Sequence, residues 1–452
     1  MGFFAWIILA ILEIALAGRT CRKKPDKKTW RRDRLVIRGA EAGALVLCLV
    51  CSPAQKWRFV PVLVFLGILL GIAALAWLLR RKKEDGAKKP AAAVASCVLC
   101  ILVFCLLLIP AFVFTGYNGL PVSGDHPIAE TSAILIDSSR TDPFEQDGSF
   151  REVPVHFYYP ADASAGEQFP LVVFSHGAFG YYQSNSSTYR ELVSNGYVVA
   201  ALDHPHHAFF TMDTKGQMVL VDTDFINTAM NLNSISDKQE QLSLYQSWMT
   251  LRTGDMNFAL DAIKAAVQAG AADESWFVSA GDAEAIRTVL GITDTSRIGL
   301  MGHSMGGATS VELGRERSDI SAVIDLDGTM LGEYLAVENG EWTVNDAPYT
   351  VPVLDFNNWE SYTDREEYIA RGYRYPNVEV VGHAAEGFSV GIRGTKHMDF
   401  TDLPLLSPFL GRMLGSGERS TEETMTIVNS VVLDFFNSYV KGEGVFTVQE
   451  TY

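Results

Sequence analysis

The chain has 452 residues, enough for roughly three domains of ordinary size, and its 37 basic and 53 acidic residues give a net charge of −16. The charge is unevenly divided: residues 1–115 hold 18 basic and 6 acidic residues (+12), leaving 19 basic and 47 acidic beyond them (−28), so the larger part repels nucleic-acid backbones and strongly anionic head groups. All six cysteines (Cys21, Cys48, Cys51, Cys97, Cys100, Cys105) lie in the first part, which excludes a disulfide framework or thiolate metal cage from the second, and 48% hydrophobic content excludes a disordered chain.

Residues 59–79 and 91–115 contain no charged side chain, and each exceeds the roughly 20 residues a helix needs to cross a bilayer. Residues 3–17 are apolar except for Glu13, and residues 35–51 contain Arg38 and Glu41 at a spacing that lets them pair along a helix. These four stretches predict four spans in a transmembrane anchor over 1–115. The positive charges follow the first apolar run, whereas a secretory signal carries them ahead of it, so cleavage is not expected. Nine basic residues lie between Arg19 and Arg34 and six between Arg80 and Lys89, against two in Ser52 to Arg58. The positive-inside rule then places both basic loops in the cytoplasm and the acidic carboxyl-terminal part outside, on a multi-pass cell-membrane protein that contacts membrane lipids. The Cys48/Cys51 and Cys97/Cys100 pairs have CxxC spacing but sit within apolar segments, where cysteine packs as a small hydrophobe.

Residues 116–129, rich in Gly, Pro, Asn and Asp, read as a linker leading to a folded domain over 130–445. Thr131 to Ile136 and Val153 to Tyr159 have strand character and are joined through a turn, which predicts an antiparallel pair. Short continuous apolar runs follow at Leu171 to Phe174, Tyr197 to Leu202, Arg297 to Met301, Ala322 to Leu326, Val351 to Phe356 and Phe388 to Ile392, with helical stretches such as Asp255 to Ala269 between them. Strands buried on both faces and separated by helices predict a mostly parallel sheet flanked by helices, an α/β fold whose chemistry belongs at the carboxyl ends of the strands. An insertion near 205–250 is placed to cap the site.

The third run leads into Gly302-His303-Ser304-Met305-Gly306-Gly307, and Gly307 to Leu313 follows as a helix. A strand, a tight turn with serine at its tip and a helix form a nucleophile elbow. Of the two histidines beyond Ser304, His397 lies in the turn after the last strand and is the expected base, while His383 is expected to be a surface or satisfied histidine. For the orienting carboxylate, Asp327 and Asp355 both sit at strand ends and compete by position. The loop Phe174 to Gly180 and the residue after the nucleophile supply the expected oxyanion donors, the amides of Ala178 and Met305. The histidines in Asp203-His204-Pro205-His206-His207 have weak metal-ligand spacing and are read as loop or pocket rim. No cofactor is called for.

The stretches FPLVVFSHGAFG, NGYVVAALDHP, RIGLMGHSMGGAT, AVIDLDGTM and IRGTKHMDF, spread over Val153 to Asp402, resemble the platelet-activating factor acetylhydrolase family, the secreted-type phospholipase A2 branch of the α/β-hydrolases. Bacterial polyester and dienelactone hydrolases share parts of the pattern. The resemblance implies a Ser304–His397–Asp327 triad, with the acid 23 residues after the serine and Asp355 demoted, and an oxyanion hole at Ala178. It implies a serine hydrolase acting through an acyl-enzyme on short-chain or oxidised acyl esters, phospholipids included. The multi-span anchor and the segment Phe209 to Trp248 depart from the family pattern. The competing reading of a different class is a membrane receptor or scaffold that keeps the hydrolase shape without turnover. The sequence leaves oligomeric state open.

Overall fold

In the computed structural model, which describes residues 1–51, 56–80, 86–164, 166–273, 275–279 and 282–452, the chain divides into two units. One comprises residues 1–119 and 404–413, the other 120–403 and 414–452.

The first unit is built from α1 (Gly2–Lys23), α2 (Lys27–Cys51), α3 (Val60–Arg80), α4 (Pro90–Leu107) and the short α5 (Ile109–Val113). The stretches Gly2–Lys23, Lys56–Arg80 and Pro90–Leu107 are long and apolar enough to cross a membrane; α2 is not. Its Arg38 is buried and donates to Glu41 (2.5 Å), as the spacing predicts, and also to Glu13 of α1. Both charges thus face the helix neighbours, while Val36, Val46, Leu47 and Val50 are exposed on α2. The turn after α1 meets residues 86–88, with Lys27 N donating to Gly86 O (3.3 Å) and Lys88 N to Pro25 O (3.0 Å). Residues 81–85 of the second run and 52–55 of the short loop lie outside the described residues. The expected single span over 91–115 is instead broken after Leu107: Pro110, lacking an N–H, cannot continue the ladder, and α5 starts a new turn around it. Residues 404–413 also differ from the expected division, since they pack with residues 1–119. Thr115 N donates to Leu406 O (2.7 Å) and Ser407 Oγ to Val113 O (2.7 Å).

The second unit centres on a nine-stranded sheet. Its strands are β1 (Ile128–Thr141), β2 (Phe150–Pro160), β3 (Phe169–Ser175), β4 (Val198–Leu202), β7 (Phe277–Ser279), β8 (Thr293–His303), β9 (Ala322–Leu326), β12 (Val353–Asn358) and β13 (Gly387–Ile392). Two hairpins stand outside it, β5 (Phe210–Met212) with β6 (Met218–Leu220), and β10 (Tyr334–Glu338) with β11 (Glu341–Val344). The sheet order is β13-β12-β9-β8-β3-β4-β2-β1-β7, parallel from β13 to β4 and antiparallel through β2, β1 and β7. The parallel strands are continuous apolar runs because both faces are covered. One face packs on α8 (Lys238–Ala269), α9 (Ala283–Gly291) and α10 (Met305–Glu316), through Met256, Leu260, Ile263, Val289 and Val311. The other packs on α6 (Ser186–Ser194) and α15 (Thr421–Phe436), through Tyr189, Leu192, Val428, Val432 and Phe436.

Both ends of this unit reach beyond the expected 130–445. His126 N donates to Ser194 O (3.1 Å), which draws the end of the expected linker onto the domain, and Tyr452 pairs with Gly391 on the outer strand β13. The helix expected at 255–269 begins at Lys238, where Asp237 accepts from Gln239 N (2.8 Å), and ends at Gly270 in the left-handed conformation. The remaining helices, α7 (Thr223–Met230), α11 (Trp359–Ala370), α12 (Pro376–His383), α13 (Leu403–Leu406) and α14 (Pro408–Met413), are short connectors.

Candidate active site

Four strand ends supply the site. β8 runs into Ser304, whose backbone is held at φ 56°, ψ −126°, a conformation costly for any residue with a Cβ. Ser304 N donates to Leu326 O (2.9 Å) at the end of β9, pinning the elbow to the neighbouring strand. The glycines of the motif make this turn possible: a Cβ on Gly302 would lie 2.1 Å from Gly306 C, and one on Gly306 would lie 2.0 Å from Ser175 O. Both collisions are with backbone. Gly306→Ala is therefore expected to destabilise the second unit by about 1–3 kcal/mol or more and to displace the loop after β3, lowering ester turnover; urea midpoints and turnover measured together check both effects.

Asp327 follows β9 in the left-handed region (φ 59°) and is nearly buried. His397 follows β13, and its Nδ1 lies 2.7 Å from Asp327 Oδ2. With an ionised carboxylate as partner, Nδ1 carries the proton and Nε2 is left free to accept one. The His397 side chain is 46% exposed, so solvent reaches the ring. Packing around the ring lowers its pKa, but the hydrogen bond and charge of Asp327 outweigh that and hold it above the usual 6.5.

Two residues that the sequence reading passed over support this pair. Asn358, at the end of β12, donates its backbone N–H to Asp327 Oδ1 (2.6 Å) and its Nδ2 to both carboxylate oxygens (3.0 Å each), while its Oδ1 caps α11 through Glu360 N and Ser361 N. An Asn preceding a helix start is a readable cap signal; its grip on Asp327 is not. His303 is buried and held well below 6.5, first by burial and then by the repulsion that a proton on both neighbouring imidazoles, His303 and His397, would create, so its ring is neutral and Nε2–H donates to His397 O (3.2 Å). The residue before Ser304 thereby ties the elbow to the loop that carries His397.

The competitors lie elsewhere. Asp355 is buried beside Asp325 on adjacent strands, and Asn377 Nδ2 reaches Asp355 Oδ1 at 2.9 Å. Burial pushes Asp355 up to about 6, and burial with the Asp355 charge raises Asp325 strongly. His383 ends α12 and is exposed, bonded to Glu379 O (2.9 Å). The three histidines after Asp203 diverge: His204 bonds Ser175 and Asp255, His206 stacks on Phe144 and His207 on Phe225.

Ala178 follows β3, and among the described residues no acceptor takes its N–H. Met305 opens α10, where an N–H has no acceptor within its own helix. Gly177 sits against the elbow: a Cβ there would lie 2.8 Å from His303 Nδ1 and 3.2 Å from Ser304 Cβ. Ala178 and Phe179 pack against an apolar cluster with Phe225, Tyr245, Trp248 and Met305, extended by Tyr334 and Trp342 of the β10–β11 hairpin. The insertion and this hairpin together place an aromatic wall beside Ser304.

A mostly parallel sheet with a strained serine elbow, and with a carboxylate–histidine pair on later strand ends, defines an α/β-hydrolase fold. The chain belongs to the platelet-activating factor acetylhydrolase, isoform II family, whose model matches residues 148–446. Among its relatives, the platelet-activating factor acetylhydrolase of Cavia porcellus is 23% identical over 303 residues, covering 64% of this chain and 61% of the relative. That of Gallus gallus is 24% identical over 305 residues, covering 62% and 65%. The chain thus spans under two thirds of the length of these relatives. A ferulic acid esterase from Streptomyces cinnamoneus shares the fold, with a TM-score of 0.52 and 22% identity over 72% of this chain and 93% of that one.

Proposed function

We propose that the protein is a membrane-anchored serine hydrolase that cleaves carboxylic esters, favouring short-chain or oxidised acyl groups, including those of phospholipids at the adjacent membrane. His397 Nε2 takes the proton of Ser304 Oγ as that oxygen attacks the ester carbonyl. Asp327 holds the imidazole in the right tautomer, and the amides of Ala178 and Met305 receive the oxyanion. His397 then returns the proton to the leaving alcohol, and water releases the acyl group by the same route. The observation that carries this reading is the 2.7 Å contact of His397 with Asp327 beside the Ser304 elbow. The aromatic wall supports a short acyl site, and the −28 charge beyond residue 115 disfavours strongly anionic esters. We place the hydrolase unit outside the membrane because the positive-inside rule puts the two basic runs of the sequence, Arg19 to Arg34 and Arg80 to Lys89, in the cytoplasm. Protease added to intact cells should digest the hydrolase unit; full protection reverses that orientation.

A series of p-nitrophenyl esters of increasing chain length, run beside phosphatidylcholines with short or oxidised sn-2 chains, tests the function. Turnover should be highest for two to four carbons and fall steeply beyond, while absence of turnover on every ester rejects it. Within that series, Trp248→Leu is expected to open the wall and raise kcat/KM for six- to eight-carbon esters, relative to acetate, by about tenfold, since each added methylene in a fitting pocket is worth about 1–3 kcal/mol. An unchanged ratio in the folded variant shows that Trp248 does not bound the acyl site.

A further inference from the structure

Beneath the loop that carries Ala178 lies a fully buried charged cluster that the proposed mechanism does not use. Helix α8 supplies Trp248, Arg252 and Asp255, spaced so that all three point to one side of the helix. Arg252 is completely buried, and two of its three nitrogens hold the loop after β3, Nη1 donating to His176 O and Nη2 to Gly177 O (3.3 Å), while Nε donates to His207 Nδ1 (3.3 Å) on the loop after β4. Gly177 O also accepts from His176 Nδ1 (2.6 Å), whose Nε2 in turn accepts the His204 N–H (3.2 Å). Burial and the Arg252 charge hold His176 well below 6.5, so it is the neutral ring this tautomer requires. The cluster is neutralised locally, Arg140, Arg151 and Arg252 being matched by Asp137, Asp142 and Asp255: Arg151 is bonded to Asp142 and Asp255 (2.9 and 2.8 Å), and Arg140 to Asp137 and Asp255 (2.5 and 3.0 Å).

Gly177 O and the Ala178 N–H belong to one planar peptide unit and point in opposite directions across it. A cation bound to the oxygen therefore fixes the aim of the N–H and polarises it toward a negative charge on the far side.

We propose that Arg252 is a positioning residue for the oxyanion hole, holding the Gly177–Ala178 peptide by its carbonyl so that the Ala178 amide faces the oxygen of the tetrahedral intermediate. This deepens the function proposed above and rests on it. The buried Ser175–His204–Asp255 chain (2.8 and 3.1 Å) extends the brace to the end of β3. Its serine is inaccessible to substrate.

The test measures kcat and KM on p-nitrophenyl acetate, and inhibition by a trifluoromethyl ketone, whose hemiketal oxygen occupies the hole, for the full-length protein and its Arg252→Gln and Arg252→Lys variants. For Arg252→Gln, kcat should fall about 10²–10³-fold, the usual loss for one oxyanion donor, with KM changed less than threefold and trifluoromethyl ketone affinity lost in proportion to kcat/KM. Arg252→Lys, which keeps the charge but not the fork, should lose less. Should Arg252→Gln fail to fold, Arg252→Lys decides alone: a loss of kcat matched by inhibitor affinity at constant KM supports the proposal. A folded variant with wild-type kcat, or with a loss confined to KM or not shared by the inhibitor, overturns it. Wild-type labelling at Ser304 by a fluorophosphonate separates the two levels, because its absence rejects the hydrolase reading itself.

Discussion

Ser304→Ala is expected to lower ester turnover about a millionfold while leaving the fold intact, the scale of loss when a serine nucleophile is removed from a complete triad. The residual rate would come from the oxyanion donors and binding alone. Fluorophosphonate labelling of the wild-type protein, absent from Ser304→Ala, reads the same event covalently. Retained labelling of Ser304→Ala, or turnover within tenfold of wild type, would remove Ser304 from the mechanism. A second comparison separates chemistry from strain. At φ 56°, ψ −126° the residue occupies a conformation that glycine enters freely and alanine does not. Ser304→Gly should therefore unfold at higher urea than Ser304→Ala, by about 1–3 kcal/mol, although both are inactive. Equal midpoints would mean that the elbow stores no such strain.

The strands that position this site were readable because each parallel strand is a continuous apolar run closed by a loop, as in Leu171 to Phe174 before Ser175-His176-Gly177 and Ala322 to Leu326 before Asp327. Burial on both faces writes that pattern into sequence, and the strand ends then point to the chemistry. Contacts made through space leave no such trace. Asn358 and Asp327 are 31 residues apart and meet only because β12 lies beside β9, and nothing in their local sequence announces it. The β10–β11 hairpin did leave a signal: Asn339-Gly340, both at positive φ, flanked by Glu338 and Glu341 in register, is a tight-turn dipeptide between alternating residues. The four-span expectation met a different obstacle. Arg38 faces inward onto Glu13 and Glu41, so from Val36 onward α2 exposes valines and leucine, yet as a whole it is too polar to stand among the helices able to span, and composition cannot tell which face a charge occupies.

Asp327→Asn is expected to lower kcat about 10⁴-fold at the pH optimum, and Asn358 explains why an isosteric amide cannot substitute. Asn358 presents its backbone N–H and Nδ2 to the carboxylate, so the introduced amide oxygen must turn toward those donors and its NH₂ toward His397. His397 Nδ1 must then accept, which moves the ring proton to Nε2, where Ser304 needs a base. The pH dependence follows from the raised pKa of His397. Catalysis requires the neutral ring, so wild-type kcat/KM should fall as pH drops through a value above 6.5, and in Asp327→Asn that limb should move to lower pH because the carboxylate that held the proton is gone. Stability runs in the opposite sense. A group whose folded-state pKa is raised contributes fully below the unfolded value of about 6.5 and loses that contribution as pH rises through the folded one. The stability gap between wild type and Asp327→Asn should therefore be widest between about pH 5 and 6 and narrow as the medium becomes more alkaline. An acid limb that stays in place in the variant, or a gap that widens with pH, would show that Asp327 does not hold the charge on His397.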